Sequence, residues 1–276
     1  MTVQGIELSD LESVLATHDG IGAFGRALER AGGGEQLLRV LGRYIQFNSV
    51  FGSGVANLSG EVGARQDLFR DSDEDAQVAA DRSADVAARI FSAAIDEFGG
   101  CSATRRSTHR TLAQATLKAV GEFFGRQWGA LDDAVRVNEA TLTAIERVRD
   151  GYGVNQSLGE RKLMRAVGFH VGSELLADEE FRLLDRFLRE SYPELVTYLE
   201  RTRVRANGDA CPAYLWVSVH TTVEAEHFAD AIAGANHAMR FYAGAESLRR
   251  IKEWVLEGFA EFAAVQTEFM EGLMED

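Results

Sequence analysis

The sequence predicts an all-helical bundle, and three observations carry that prediction. Its 276 residues include only two prolines, Pro193 and Pro212, so long stretches rich in alanine, leucine, glutamate and arginine run without a helix breaker. Apolar residues recur near helical spacing, clearest over 76–98, where Val78, Val86, Ile90, Ala94 and Phe98 mark one stripe. The breaks between such stretches are rich in glycine, as in AGGGEQ at 31–36 and Gly99-Gly100.

Taken in order, residues 9–18 and 20–31 read as short helices ahead of the break at 31–36. From Leu37 to Phe69 runs an apolar, small-residue segment, and the acidic stretch Asp71–Asp75 marks a loop or a helix start. The amphipathic helix over 76–98 stops at Gly99-Gly100. Beyond the loop CSATRRST, helices are expected over 108–126 and 130–150, the latter ending at Gly151. A helix over 158–176 meets a junction at Ala177-Asp178, followed by 179–190 and, past Pro193, by 194–204. The loop RANGDACP precedes a long helix over 213–242, and the last helix covers 245–273. No repeat, low-complexity run or linker interrupts this order. The expectation is a single domain over 1–276 of roughly eight to ten helices, with residues 1–33 as an extra N-terminal helical segment.

The balance of 29 basic and 43 acidic residues gives a formal net charge of -14. Such a surface repels nucleic acid and anionic membranes, so neither is an expected partner. Two cysteines, Cys101 and Cys211, make no disulfide framework and no cysteine-rich metal site. The opening MTVQGIELSDLESVL has no basic region followed by an apolar run, and no apolar stretch approaches the ~20 residues of a membrane span. A cytoplasmic protein is expected.

The chemistry concentrates in YLWVSVHTTVEAEHFADAIAGANHAMRFY. At about 100° per residue, His220, Glu224 and His227 fall within about 60° of one another on a helix. They lie among Val217, Val223 and Ala231, so the stripe is expected to point inward. Buried ionisable groups are costly unless paired or bound to metal, and two imidazoles with a carboxylate can ligate divalent ions. The alternative is a surface histidine pair, or core histidines satisfied by hydrogen bonds.

Three further segments add donors. Glu97 ends one helix and His109 opens the next, and the Gly-Gly break can fold the chain back so that they meet. A carboxylate at a helix C-terminus is disfavoured by the macrodipole, which hints at another task for Glu97. Plain solvation of Asp96 and Glu97 is the alternative. Glu174 sits on an otherwise apolar, small-residue helix with His170 four residues earlier on the same face; a solvated helix-end glutamate beside Asp178 and Glu179 is the alternative there. Glu61 interrupts another small-residue stretch, either as an auxiliary carboxylate or as a surface partner of Arg65 at i+4.

Together these elements resemble the haem-oxygenase-like di-iron oxidases, helical bundles that bind no haem and hold two irons. The hallmark of that family is a late helix with His-x-x-x-Asp-x-x-His, paired with an earlier carboxylate-Gly-Gly-loop-His element and a glutamate on an intervening helix. His220-x-x-x-Glu224-x-x-His227, Glu97-x-Gly-Gly with His109, and Glu174 stand here in that order. Glu224 replaces the aspartate, Glu97 and His109 are spaced slightly wider, and Glu174 lies farther from His220 than the family pattern has it. The stretches FNSVFGSGVANLSGE and GSELLADEEF are similar to a branch from polyoxin-type antibiotic pathways.

The resemblance implies a haem-oxygenase-like all-α fold and two Fe(II)/Fe(III) ions held by Glu97, His109, Glu174, His220, Glu224 and His227, the catalytic set, with Glu61 as an auxiliary carboxylate. It implies O2 as co-substrate, an external reductant, and oxidation of a free aliphatic amino acid by desaturation and C–N bond formation to an azetidine. N-oxygenation or hydroxylation of another small metabolite is the alternative outcome on the same ligands. A substrate carboxylate calls for an arginine, with Arg240 and Arg165 as candidates by spacing. Competing readings are a metal-free relative with a cysteine nucleophile, a haem-degrading oxygenase with one proximal histidine, and a non-enzymatic helical scaffold. A bundle with an N-terminal extension is also compatible with a homodimer.

Overall fold

Helix formers and helix breakers alternate along the chain, and the helices follow in the order the sequence sets. The computed structural model describes residues 5–100, 107–126, 135–206 and 208–275; for residues 206, 209 and 222–224 it describes the backbone alone. The first helices are α1 (Leu8–Leu15), which buries Leu11, and α2 (Gly20–Arg30), which buries Ala23, Phe24, Ala27 and Leu28. After the glycine break come α3 (Gly34–Asn48) and α4 (Phe51–Gly63). The segment from Leu37 to Phe69, undivided in the sequence reading, thus splits at Ser49 and Val50. There the Ser49 hydroxyl donates to Gln46 O and the Ser53 hydroxyl to Val50 O, local bonds that compete with a continuous helical ladder.

The stretch 76–98 also divides, into α5 (Gln77–Ala80) and α6 (Ser83–Glu97). The carboxylate of Asp81 accepts from the backbone N–H of Ser83 at 2.9 Å and from its hydroxyl at 2.7 Å, which starts a new helix. α6 stops where the sequence says it should. Gly99 and Gly100 adopt φ of 103° and 68°, and their amides donate back to Asp96 O and Ile95 O at 2.9 and 2.7 Å.

Next come α7 (His109–Phe123), capped by Thr108, and α8 (Glu139–Gly151), capped by Asn138. The sequence reading began this helix near residue 130; residues 127–134 lie outside the described residues, but 135–138 are not helical, and the Asn138 side chain, accepting from Thr141 N, starts the helix only at Glu139. α9 (Glu160–Ser191) is one continuous helix across the expected junction at Ala177-Asp178. Neither residue breaks a helix, and Asp178 pairs with Arg182 one turn on at 3.0 Å. α10 (Pro193–Arg201) takes its proline at the first turn. The expected loop RANGDACP holds a hairpin, β1 (Arg203–Ala206) antiparallel to β2 (Asp209–Pro212), with Arg203 opposite Pro212 and Gly208 at φ 85° in the turn. Last are α11 (Leu215–Arg240) and α12 (Leu248–Gly272), the latter capped by Ser247.

The result is the all-helical bundle that the periodicity predicts, with one two-stranded sheet among the described residues. α9 runs through its middle, packed on α12 along one side and on α11 along another, while α6 lies against α4 and α11. The N-terminal α1 and α2 lean on α12. α9 and α12 touch backbone to backbone. A Cβ on Gly168 would stand 1.8 Å from Val255 O, and one on Gly258 would stand 1.8 Å from Arg165 O. That crossing fixes α9 two residues ahead of His170. Among the described residues no helix is long and apolar enough to cross a membrane.

Candidate metal centre

Four pieces of chain converge inside the bundle: the last turn of α6, the first turn of α7, the middle of α9 and the first half of α11. The Gly99-Gly100 stop leaves Asp96 and Glu97 on the final turn of α6. The Thr108 cap, whose hydroxyl accepts from Thr111 N, starts α7 at His109. His109 is buried, with Nδ1 3.0 Å from Glu97 Oε1 and Nε2 3.3 Å from Asp96 Oδ2. His220 of α11 lies beside it, ring centroids 4.4 Å apart, and donor atoms of Glu97, His109 and His220 all fall within 4.8 Å of one another.

Seven residues beyond His220, about 10.5 Å along α11, His227 meets a second group. Its Nδ1 lies 3.7 Å from Glu174 Oε2, and its Nε2 lies 3.7 Å from Asp96 Oδ2. The other oxygen of Glu174 is 3.3 Å from Nδ1 of His170, one turn earlier on α9. The cluster therefore has two lobes. His109, Glu97 and His220 form one, His170, Glu174 and His227 the other, and Asp96 reaches both.

Protonation differs sharply within the cluster. Burial pushes His109 down, yet hydrogen bonds to Asp96 and Glu97 outweigh it and raise the imidazole to about 9. Burial pushes His170 down to about 3, with His227 adding to the shift, and burial likewise holds His220 well below its ordinary value. His220 is further oriented through Nδ1, 2.6 Å from Trp216 O, and its ring stacks on Phe181 at 4.0 Å. With Nδ1–H donating to a carbonyl, the lone pair of Nε2 is left for the cluster, the arrangement typical of metal-bound histidine.

These residues fit divalent metal. Two ligands held at about 2.1 Å from one ion stand roughly 3–4 Å apart, and the histidine–carboxylate pairs of the cluster stand 3.0–3.7 Å apart. His170 Nε2 is buried with no hydrogen-bond partner among the described residues. Nitrogen and carboxylate oxygen without thiolate suit Fe(II) or Mn(II).

Two cavities meet at the cluster. The inner one is walled by Phe47, Phe51, Val55, Phe181 and Phe262 and reaches Glu174, Glu180, His220 and His227. Buried Glu180 is held there by Tyr44 Oη at 2.6 Å and Gln266 Nε2 at 2.9 Å. The outer one runs between α3, α4 and α7 past Ile45, Ser49, Ser53, Arg110 and Trp216 to His109. Asn48, Glu97 and His220 line both.

Of the residues singled out in the sequence, the structure brings Glu97, His109, Glu174, His220 and His227 together. The side chain of Glu224 lies outside the described residues. Glu61 does not join them: α4 turns Gly52 toward Glu97, and Glu61, nine residues on, is half a turn round and about 13.5 Å farther along. Its charge acts on Arg65, which is bonded to Asp67. Arg165 is paired with Glu261 at 2.7 Å, and Arg240 lies over the ring of Phe241; neither lines the two cavities. Cys211 sits on β2 beside Ser107 and lines neither cavity; Cys101 lies outside the described residues. Sequence reasoning passed over Glu180 and Arg110, named Asp96 only as a solvated neighbour of Glu97, and treated His170 only as a neighbour of Glu174. The i, i+4 spacing of His170 and Glu174 was the available signal.

No protein-family profile and no curated protein matches the sequence. A crystal structure of a CADD-like protein of unknown function from Nostoc punctiforme has the same fold, with a TM-score of 0.63 at 15% identity over 97% of this chain and 95% of that one.

Proposed function

We propose that the chain is an O2-dependent non-haem di-iron oxidase acting on a free aliphatic amino acid, by desaturation and intramolecular C–N bond formation to an azetidine. The observation that carries the metal reading is the buried two-lobed cluster of histidines and carboxylates between two cavities, on a CADD-like fold. Glu97, His109 and His220 would hold one iron and Glu174, His227 and His170 the other, with Asp96 between them. Glu224 completes the set that the family resemblance implies. The bound irons would supply O2 reduction and removal of hydrogen from an unactivated C–H bond.

The chain's own residues supply geometry and dryness. Phe47, Phe51, Phe181 and Phe262 keep water from the inner side of the cluster. Trp216 O and Glu174 fix the tautomers and ring planes of His220 and His170. Each oxidation takes two electrons and two protons from the substrate, an external reductant supplies two more electrons, solvent supplies two more protons, and O2 leaves as two waters. The expected setting is the cytoplasm, with a soluble small-molecule substrate and reductant as partners.

The test is an anaerobic Fe(II) titration of metal-free protein, followed by mixing with O2 in the presence of single amino acids. About two irons per chain, and oxygen consumption driven by one aliphatic amino acid, support the reading. Iron binding that is substoichiometric and unchanged by His220→Ala and His227→Ala sinks it.

A further inference from the structure

A cationic residue lines the outer cavity at a place where helix energetics disfavour one. Arg110 is in the first turn of α7, and no acidic residue occupies that turn. A positive side chain at a helix N-terminus is opposed by the macrodipole. Other arginines of this acidic chain are tied to carboxylates, such as Arg65 to Asp67, Arg89 to Asp230, Arg165 to Glu261 and Arg189 to Asp185. Arg110 makes no ion pair or hydrogen bond among the described residues, and it lines the cavity that leads to its neighbour His109.

The wall built by α3 and α4 has the opposite character. Ser49 and Ser53 donate their hydroxyl protons to Gln46 O and Val50 O, and the Asn48 amide nitrogen donates to Tyr44 O. Their oxygens are thereby left as acceptors, and all three residues line the same cavity as Arg110. Between these polar groups the lining is apolar, with Ile45, Ala113 and Trp216, and Phe98 at the rim is 59% exposed. A guanidinium, a set of acceptor oxygens and an apolar surface match the carboxylate, ammonium and side chain of a zwitterionic amino acid.

We infer that Arg110 is the carboxylate anchor of the substrate, with the acceptors of Asn48, Ser49 and Ser53 taking the ammonium, so that the outer cavity is the amino-acid site and presents the side chain to the lobe of His109 and His220. This deepens the oxidase reading and rests on it for the chemistry, though the binding can be measured without turnover. Arg110 is a specificity residue, and neither its exposure nor its lack of ion pairs among the described residues gives it a structural task.

The experiment is calorimetric binding to the full chain, both metal-free and loaded with redox-inert Zn(II). The probes are L-isoleucine, 3-methylpentanoate, which lacks the amine, and 2-methylbutylamine, which lacks the carboxylate. Wild type is expected to bind L-isoleucine best and 3-methylpentanoate next. Arg110→Ala should weaken both by about tenfold or more, with Arg110→Lys between, while leaving weak 2-methylbutylamine binding and the zinc stoichiometry unchanged. Equal affinity of L-isoleucine for wild type and Arg110→Ala overturns the assignment, as does wild type that binds none of the probes or prefers the amine. Failure of the metal reading shows separately, as absent stoichiometric zinc in protein whose L-isoleucine binding still depends on Arg110.

Discussion

The two lobes of the cluster use the same residue types but solve the cost of burial in opposite ways. Around His109 two carboxylates crowd one imidazole and keep it protonated, so that lobe carries its own cation. Around Glu174 two imidazoles flank one carboxylate, and His170 is held neutral by burial. The first lobe is assembled by a helix end folding back at Gly99-Gly100, the second by residues deep in the continuous helix α9. The same donor types are thus held by a shared proton at one end and by neutral imidazoles at the other, and a metal bound beside His109 must displace that proton.

The strongest way to break this comparison is to delete one imidazole from each lobe. His220→Ala should lower metal affinity in the His109 lobe, and His227→Ala in the Glu174 lobe, each by more than about 100-fold, with stoichiometry in metal titrations falling toward one ion per chain. If both variants lose both ions together, the lobes are one cooperative site. Gly168→Ala comes next. Its methyl would meet Val255 O, so the variant should lose about 3 kcal/mol in denaturant unfolding, or fail to fold, because two helix backbones must separate. Where it folds, displacement of α9 should weaken metal at the Glu174 lobe before the His109 lobe.

A finer test is His170→Ala, which should reduce metal affinity of the Glu174 lobe by about 10–100-fold and leave the other lobe nearly unchanged in the same titration. The smallest effect is electrostatic and belongs to metal-free protein. His109 has a folded pKa raised to about 9 against an ordinary 6.5, so its contribution is fully present below 6.5 and is lost as pH rises through about 9. His170 has a folded pKa lowered to about 3, so its contribution is present above 6.5 and is lost as pH falls from there toward 3. Melting temperature should therefore peak near neutrality and fall by several degrees on each limb. His109→Gln should flatten the alkaline limb only, and His170→Gln the acid limb only.

The sequence by itself determined the helical class, the stop at Gly99-Gly100, and the candidates Glu97, His109, Glu174, His220 and His227. These are local properties: propensity, periodicity and spacing act within a turn or two of helix, and a polar residue on an apolar stripe declares itself. Only the tertiary structure decided that α9 is continuous through Ala177-Asp178, that RANGDACP is a hairpin, that Asp96 spans the two lobes and that His170 is sealed beside Glu174. It also turned Glu61 away, tied Arg165 to Glu261 and brought Arg110 to the outer cavity. The face a side chain shows to a distant helix depends on how that helix crosses its neighbours. That crossing is set by contacts such as Gly168 on Val255, far apart in the chain and invisible to any local window.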